Sequence, residues 1–422
     1  MKKITITCNL GWVCRNLLYT NVIDKLSQRY EITILCNSVT YDSVKKHLAD
    51  KSYIKVKKLD LRSSYFTLKV KSILSATTVI RVSPNLASWM FPKSNSSQIV
   101  RFFYKISEPI FKKIYLYLCT RRSIRYQVSK AIKSADKLII TSPFGWEDQY
   151  VQANANSKCS VYHLFLSWDN VYSKGYSFCA DRYLVWADFM KETVVKLHDC
   201  SINDIYTIEV PHLGGGYSNN KSRTKRNLLY SCISGKNYPQ EIELVKLIKS
   251  WFIEGLNNLY DSFIIRTHPA GPNGIFDSLQ DNDKCVVISH PSQAKEESLL
   301  YWTPDDIELD VLSEILSSSR TNINVASTMS IDSASHDCSV INVAFHHDPL
   351  IDKQVKAFYD FEHYKNLVNL GLVKLVFDED ELKSEIIKAA KYEKSMSSFN
   401  IFEKVFDNRA VSFKKLFIAL EN

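Results

Sequence analysis

At 422 residues, 45 % of them hydrophobic and 23 % charged, the chain is too long for one ordinary core and too apolar for disorder, which predicts two folded domains. A net charge of +9 and a pI near 8.8 favour an anionic partner such as a nucleotide or an anionic membrane face. There is no zinc-finger spacing, RNA-binding aromatic motif or basic tail, which argues against nucleic acid.

The ten cysteines are scattered, with neither the paired spacings of a zinc site nor the density of a disulfide scaffold, so they read as reduced thiols. No uncharged apolar run reaches the roughly 18 residues of a membrane span. The opening ITITCNLGWV is interrupted by Asn9 and lacks a small-residue cleavage site, so it reads as a strand and not a signal peptide. These features predict a cytoplasmic protein.

In chain order, KITITC (3–8) predicts a strand, 14–28 a helix and EITILC (31–36) a second strand, giving a β-α-β opening. A basic helix over about 109–134 leads into the strand KLIITS (137–142). VYHLFLSWDN and RYLVWAD follow, and the domain junction is placed near 180. The second half repeats the alternation, with strands at 227–232, 262–269, 322–326 and 339–345 and helices at 242–256, 307–319 and the short TMSIDSASH. The expected class is α/β, with two Rossmann-like domains at 1–180 and 181–395 whose parallel sheets face each other across a cleft. A last helix in 396–422 is expected to cross back to the first domain.

Four stretches carry candidate chemistry. NINVAST runs a buried strand into Ser327 and Thr328 at a helix start, where amides and hydroxyls suit a diphosphate, although a serine there also serves as an ordinary cap. IIRTHP presents Arg266 and His268 at a strand end; a guanidinium fork and an imidazole suit phosphate, and the histidine can move a proton. SWDNVYSKG gathers Asp169 and Lys174; the carboxylate is the candidate general base, and an Asx-type turn is its competing reading. NLGWVCRN places Gly11, Arg15 and Asn16 between a strand and a helix, while the absence of GxGxxG disfavours a nicotinamide enzyme. Asp305-Asp306 and Asp378-Glu379-Asp380 precede helices and read as N-terminal charges. Neighbouring residues such as His346-His347-Asp348 rarely converge on one ion, so no metal is assigned.

The order SWDN with KG, YLVWAD, LLYSC, IIRTHP, STMSIDSA with SVINVAF, and FEHYKNL resembles GT-B-type glycosyltransferases of bacterial capsule and O-antigen clusters. The architecture is also similar to CDP-glycerol and CDP-ribitol phosphotransferases and to UDP-N-acetylglucosamine 2-epimerases. The resemblance implies transfer of a sugar from a nucleotide-sugar donor to a glycan or lipid-linked acceptor, with no cofactor and no metal. Arg266, His268, Ser327, Thr328 and Ser231 of LLYSC would then contact the donor, and Asp332 would face its nucleotide side. Gly11, Arg15, Asn16, Lys174 and His363 of FEHYKNL would lie toward the acceptor. EVPHLGGGYSNN departs from the family, in which a glycine-containing strand end is followed by Asp. Alditol-phosphate transfer and a non-catalytic binding protein remain as alternatives, since fold does not settle chemistry.

A peripheral attachment to the inner membrane face is expected through Ile110 to Ala135. Ile110, Ile114, Leu118, Ile124, Val128, Ile132 and Ala135 share one helical face, with Lys112, Lys130 and Lys133 opposite. A domain helix packed on the sheet with a solvated basic back is the competing reading.

Overall fold

The computed structural model describes residues 1–91, 98–213, 226–233, 238, 240–271, 273–292, 306–391, 398–406 and 413–421. The chain divides into two compact units, one of Met1–His212 with Val411–Asn422 and one of Leu213–Ala410.

Short β-branched runs build the first unit's sheet: β1 (Lys2–Thr7), β2 (Tyr30–Cys36), β3 (Lys55–Lys58), β4 (Lys137–Ile140), β5 (Ser160–Leu164), β6 (Arg182–Val185) and β7 (Ile205–Thr207). All neighbours pair in parallel, in the order β3-β2-β1-β4-β5-β6-β7. A parallel sheet is covered on both faces, which is why β4 is buried at every position and is apolar after Lys137, whose ammonium donates to the Tyr162 hydroxyl. The order reverses between β1 and β4, and the crevice beyond the carboxyl ends of those two strands is where such sheets bind ligands.

The second unit repeats the plan with β8 (Asn227–Ser231), β9 (Phe263–Arg266), β10 (Val286–Ser289), β11 (Ser319–Asn324), β12 (Ser339–Val343) and β13 (Lys374–Val376). Its parallel order is β10-β9-β8-β11-β12-β13, and the reversal falls between β8 and β11. The α/β class with two Rossmann-like parallel-sheet domains is the expected one.

Three local expectations are corrected. The junction near 180 falls inside the first sheet, because beyond it β6 pairs with β5 and β7 with β6. The 396–422 segment divides: the helix Ser398–Phe406 belongs to the second unit, whereas Lys414–Glu421 belongs to the first. There Leu416 and Leu420 join the core of Ile4 and Ile32, and Arg29 pairs with Glu421 at 2.6 Å. The helix expected over 109–134 is two helices, Gln98–Cys119 and Arg122–Ile132. Thr120 at the break turns its hydroxyl back to the Leu116 carbonyl (2.9 Å), a bond that competes with helix continuation.

Candidate functional site

At the reversal point of the first sheet, β1 runs out into Cys8 and Asn9, β2 into Asn37, and β4 through Thr141 and Ser142 into the helix Trp146–Ala153. The first turn of that helix carries Glu147 and Asp148. Asn9 donates through Nδ2 to Asp148 Oδ1 at 2.8 Å. Asn37 donates to the Asn9 carbonyl at 2.9 Å and to Glu147 Oε1 at 3.2 Å, so two amide side chains from adjacent strand ends hold the two carboxyls.

Asp148 is 0 % exposed and its Oδ2 makes no hydrogen bond. Burial pushes its pKa up to about 7; the Thr7 and Asn9 side chains offset part of that rise, and the neighbouring Glu147 charge adds to it. Burial also raises the half-buried Glu147, against the Asn37 bond and the Lys71 ammonium. Lys71, from the helix Tyr65–Val82, is itself lowered by burial. A carboxyl that exchanges its proton near neutrality, as Asp148 does, is the equipment of general acid–base chemistry. Asp148 is enclosed, so Glu147 is the member of the pair that a ligand can meet.

The first-unit residues singled out from sequence serve largely to position this region. Gly11 opens the helix Gly11–Leu17, which also carries the half-buried Arg15. Asn16 donates to the Leu166 carbonyl at 2.7 Å, fastening that helix to the loop after β5. Asp169 is held in a turn, the competing reading weighed for it: Oδ1 accepts from the Ser167 hydroxyl, Oδ2 accepts from Ser173 at 3.1 Å, and its carbonyl accepts from the Tyr172 and Ser173 amides. Lys174 ends this turn, exposed. Gly175 follows at φ +85°, where a Cβ would stand 2.5 Å from Ser75 Cβ, so only glycine fits.

In the second unit, the carboxyl ends of β8, β9, β11 and β12 gather the remaining candidates. Ser231 lies in register with Arg266 on one side and Asn324 on the other. Its hydroxyl donates to Asn322 Oδ1 (2.9 Å), and Asn322 Nδ2 donates to Ser333 (2.6 Å). Asn324 Oδ1 accepts from the Ser327 amide (3.2 Å) and the Ser330 hydroxyl (3.1 Å), which fixes the orientation of its amide. Ser330 and Asn342 both meet the Tyr364 hydroxyl, at 2.9 and 2.5 Å. Buried polar groups bonded in this way set the loop after β11 rigidly. Ala326 in that loop has φ +43°, a left-handed conformation unusual for alanine, and its N–H donates to Tyr359 at 3.1 Å.

Two expected donor contacts have other occupations. Arg266 is engaged by Ser289 (2.7 Å) and by Glu308, with the paired side chains only 6 % and 10 % exposed, so the guanidinium braces β9 from within. Ser327 Oγ accepts from the Met329 amide (3.2 Å) one residue ahead of the helix N-cap, which is the exposed Thr328, and Asp332 is buried one turn on. His268 lies just beyond the end of β9. Burial lowers it to about 4, and its Nδ1 accepts from the Ala270 amide at 3.0 Å, leaving a neutral ring with the proton on Nε2 as a donor. His363 is placed in the second unit beside Phe361 and Tyr364, not among the first-unit residues with which it was grouped.

The sequence reading missed three buried donors at this edge. The Tyr238 hydroxyl and Asn324 Nδ2 make no hydrogen bond, and His346 Nε2 lies 3.3 Å from Glu243 Oε2. The Tyr238 and His346 rings stand 5.9 Å apart, and His346 Nδ1 accepts from the Asp348 amide (3.0 Å), which puts its proton on Nε2. The available signal was the polar run of β11, with asparagine at 322 and 324, and asparagine at 342 within the largely apolar β12. His347 turns away to Glu379 (2.5 Å) and Asp348 caps the next helix, so the trio does not converge; among the described residues no group of His, Cys, Asp and Glu has metal-binding geometry. His212 rests on Trp186 at 5.1 Å, and the glycine run after it lies outside the described residues.

No protein-family model matches the chain, and no curated protein matches it. Among solved structures, UDP-GlcNAc 2-epimerase from Neisseria meningitidis bound to UDP-GlcNAc superposes with TM-score 0.55 at 12 % identity, covering 100 % of both chains. S. aureus MnaA with UDP gives 0.56 at 10 %, covering 99 % of this chain and 95 % of that one. The Methanocaldococcus jannaschii UDP-GlcNAc 2-epimerase gives 0.54 at 12 %, covering 99 % of each. Identities this low establish the fold, which is GT-B-like.

Proposed function

We propose that the protein is a nucleotide-sugar glycosyltransferase. The observation that carries this reading is the Glu147–Asp148 pair, held by Asn9 and Asn37, with Asp148 at about 7. Glu147 takes the proton of the acceptor hydroxyl as that oxygen bonds to the anomeric carbon and the bond from that carbon to the donor phosphate oxygen breaks. Within the second unit, the Tyr238 hydroxyl and Asn324 Nδ2 are buried donors suited to the diphosphate of a nucleotide sugar. Oriented donors stabilise developing negative charge without a divalent ion, so turnover is expected to survive a chelator. The motif order from SWDN to FEHYKNL supports a cytoplasmic role in surface polysaccharide synthesis, O-antigen or capsule, on a glycan or lipid-linked acceptor.

The test is a panel of UDP-, GDP-, CMP- and CDP-linked donors, read first by thermal stabilisation and then by turnover with acceptor. A nucleotide sugar is expected to stabilise the protein. Glu147→Gln is expected to keep that stabilisation and lose about a hundredfold or more in turnover. Stabilisation by CDP-alditols alone would move the reading to alditol-phosphate transfer, and conversion of a donor without acceptor into its C2 epimer would overturn transfer altogether.

A further inference from the structure

The helical region between β3 and β4 has a composition unlike the rest of the chain. Residues 61–135 contain fourteen Lys and Arg and a single acid, Glu108, so this stretch carries +13 in a chain whose total is +9. Glu108 is itself paired, with Lys112 at 2.7 Å and Arg81 at 3.6 Å. The basic character of the protein therefore resides in this one region of the first unit.

Of the expected apolar face, Leu118, Val128 and Ile132 are buried in the core and Ile114, Ile124 and Ala135 pack partly against it, while Ile110 stays exposed. The helix Gln98–Cys119 has a second apolar face. Ile106, Ile110, Lys113 and Tyr117, spaced i, i+4, i+7 and i+11, all lie exposed, Ile110 at 59 % and Tyr117 at 70 %. That spacing keeps the four side chains on one stripe. The Arg81–Glu108 contact, with Val70 and Leu74 in one core cluster with Tyr115 and Leu118, runs the helix Tyr65–Val82 antiparallel to it. Exposed Tyr65 and Phe66 thus come alongside the end that bears Tyr117, where exposed Arg121, Arg122 and Arg125 begin the next helix.

An exposed surface that is both apolar and uniformly cationic suits neither open water nor an ordinary protein interface. Aromatic rings and aliphatic tips favour the headgroup region of a bilayer, and each cation near an anionic lipid surface adds to the attraction. We infer that the face formed by Tyr65, Phe66, Ile106, Ile110 and Tyr117 with the surrounding Lys and Arg docks on an anionic lipid bilayer, peripherally and without spanning it. No described helix is long and apolar enough to cross one. The inference rests on the glycosyltransferase reading only for its purpose, which is to bring the protein to a lipid-linked acceptor.

The test is co-sedimentation of the full chain with phosphatidylcholine vesicles with and without phosphatidylglycerol, at low and high salt. Salt-sensitive binding to the anionic vesicles is expected. The triple variant Lys113→Ala, Arg122→Ala, Arg125→Ala should weaken it about a hundredfold, and Ile110→Ser with Tyr117→Ser at least about tenfold. Both variants should unfold at the parent temperature and keep the donor-induced thermal shift, which separates failure of the docking face from failure of the catalytic reading. Unaltered binding by the triple variant, equal binding to neutral vesicles, or binding to a DNA duplex with none to anionic vesicles would each overturn the inference.

Discussion

Replacing Arg266 with alanine tests whether a strand-end arginine faces a ligand or braces the protein. Its guanidinium lies between Ser289 and Glu308, and Glu308 Oε2 also accepts from the Ser292 amide at 2.9 Å. Removal of the arginine leaves a carboxylate that is 90 % enclosed without its counter-charge, a loss of about 3–5 kcal/mol for a buried pair. In a unit of this size each kcal/mol shifts the midpoint by about 2–4 °C, so Arg266→Ala should unfold at least about 6 °C early. Because the damage is the orphaned carboxylate, Arg266→Met combined with Glu308→Leu should recover most of the lost stability. Differential scanning calorimetry of the parent, Arg266→Met, Glu308→Leu and the double variant supplies the complete cycle, with Arg266→Ala measured beside it. If Arg266→Ala instead melted with the parent and lost only the donor-induced shift, the guanidinium would be a ligand contact and the brace argument would be wrong.

Gly175→Ala should cost about 2 kcal/mol or more, since it combines a left-handed φ with a Cβ placed inside Ser75; a denaturant midpoint equal to the parent's would show that the helix beside it yields freely. The buried rings of His163 and His198, 5.5 Å apart, predict acid lability in the first unit. Burial drives both pKa values down, His163 well below its usual range with His198 adding to the effect, and His198 to about 3 with Arg81 and Lys112 contributing. The unfolded chain therefore binds more protons below about 6.5, so the contribution is intact above that pH and is lost as pH falls from 6.5 toward the folded values. Asp148 and Glu241, raised to about 7 and about 8, act in the opposite sense, because the folded state holds their protons more tightly. Single variants separate the two effects: His163→Gln, which can still donate to Gln152, should lose less stability than the parent between neutral pH and pH 5 in urea titrations, and an identical loss would refute the assignment.

Strand positions were legible because a parallel sheet demands short apolar β-branched runs, and KITITC, EITILC, KLIITS and SVINVAF supply them. Local pattern does not state which sheet a strand joins, so RYLVWAD read as the opening of a second domain although Arg182–Val185 pairs with β5. The helices Tyr65–Val82 and Pro84–Met90 were missed, and the former's apolar positions are diluted by serine and threonine whose hydroxyls bond back to the helix, as Thr77 and Thr78 do.

The site was less legible for a related reason, since the meaning of a polar side chain is set by a partner far away in sequence. Arg266 and Asp169 carry the same donors and acceptors whether they meet a ligand or their own fold; a glutamate 42 residues on decides the first and two serines within its own turn decide the second. Asp148 becomes a group titrating near neutrality because the fold buries it completely, and Asn9, 139 residues earlier, holds it there with a hydrogen bond that offsets part of the rise. A composition rule that does reach this level is the misplaced polar residue. An asparagine in a strand buried on both faces must find partners or lose stability. Asn322 and Asn342 find them in Ser333 and Tyr364, whereas Asn324 leaves its Nδ2 open. Retention of that open donor beside Ser327, in a loop that also holds Ala326 at positive φ, is a cost to the empty fold that a bound oxyanion would offset.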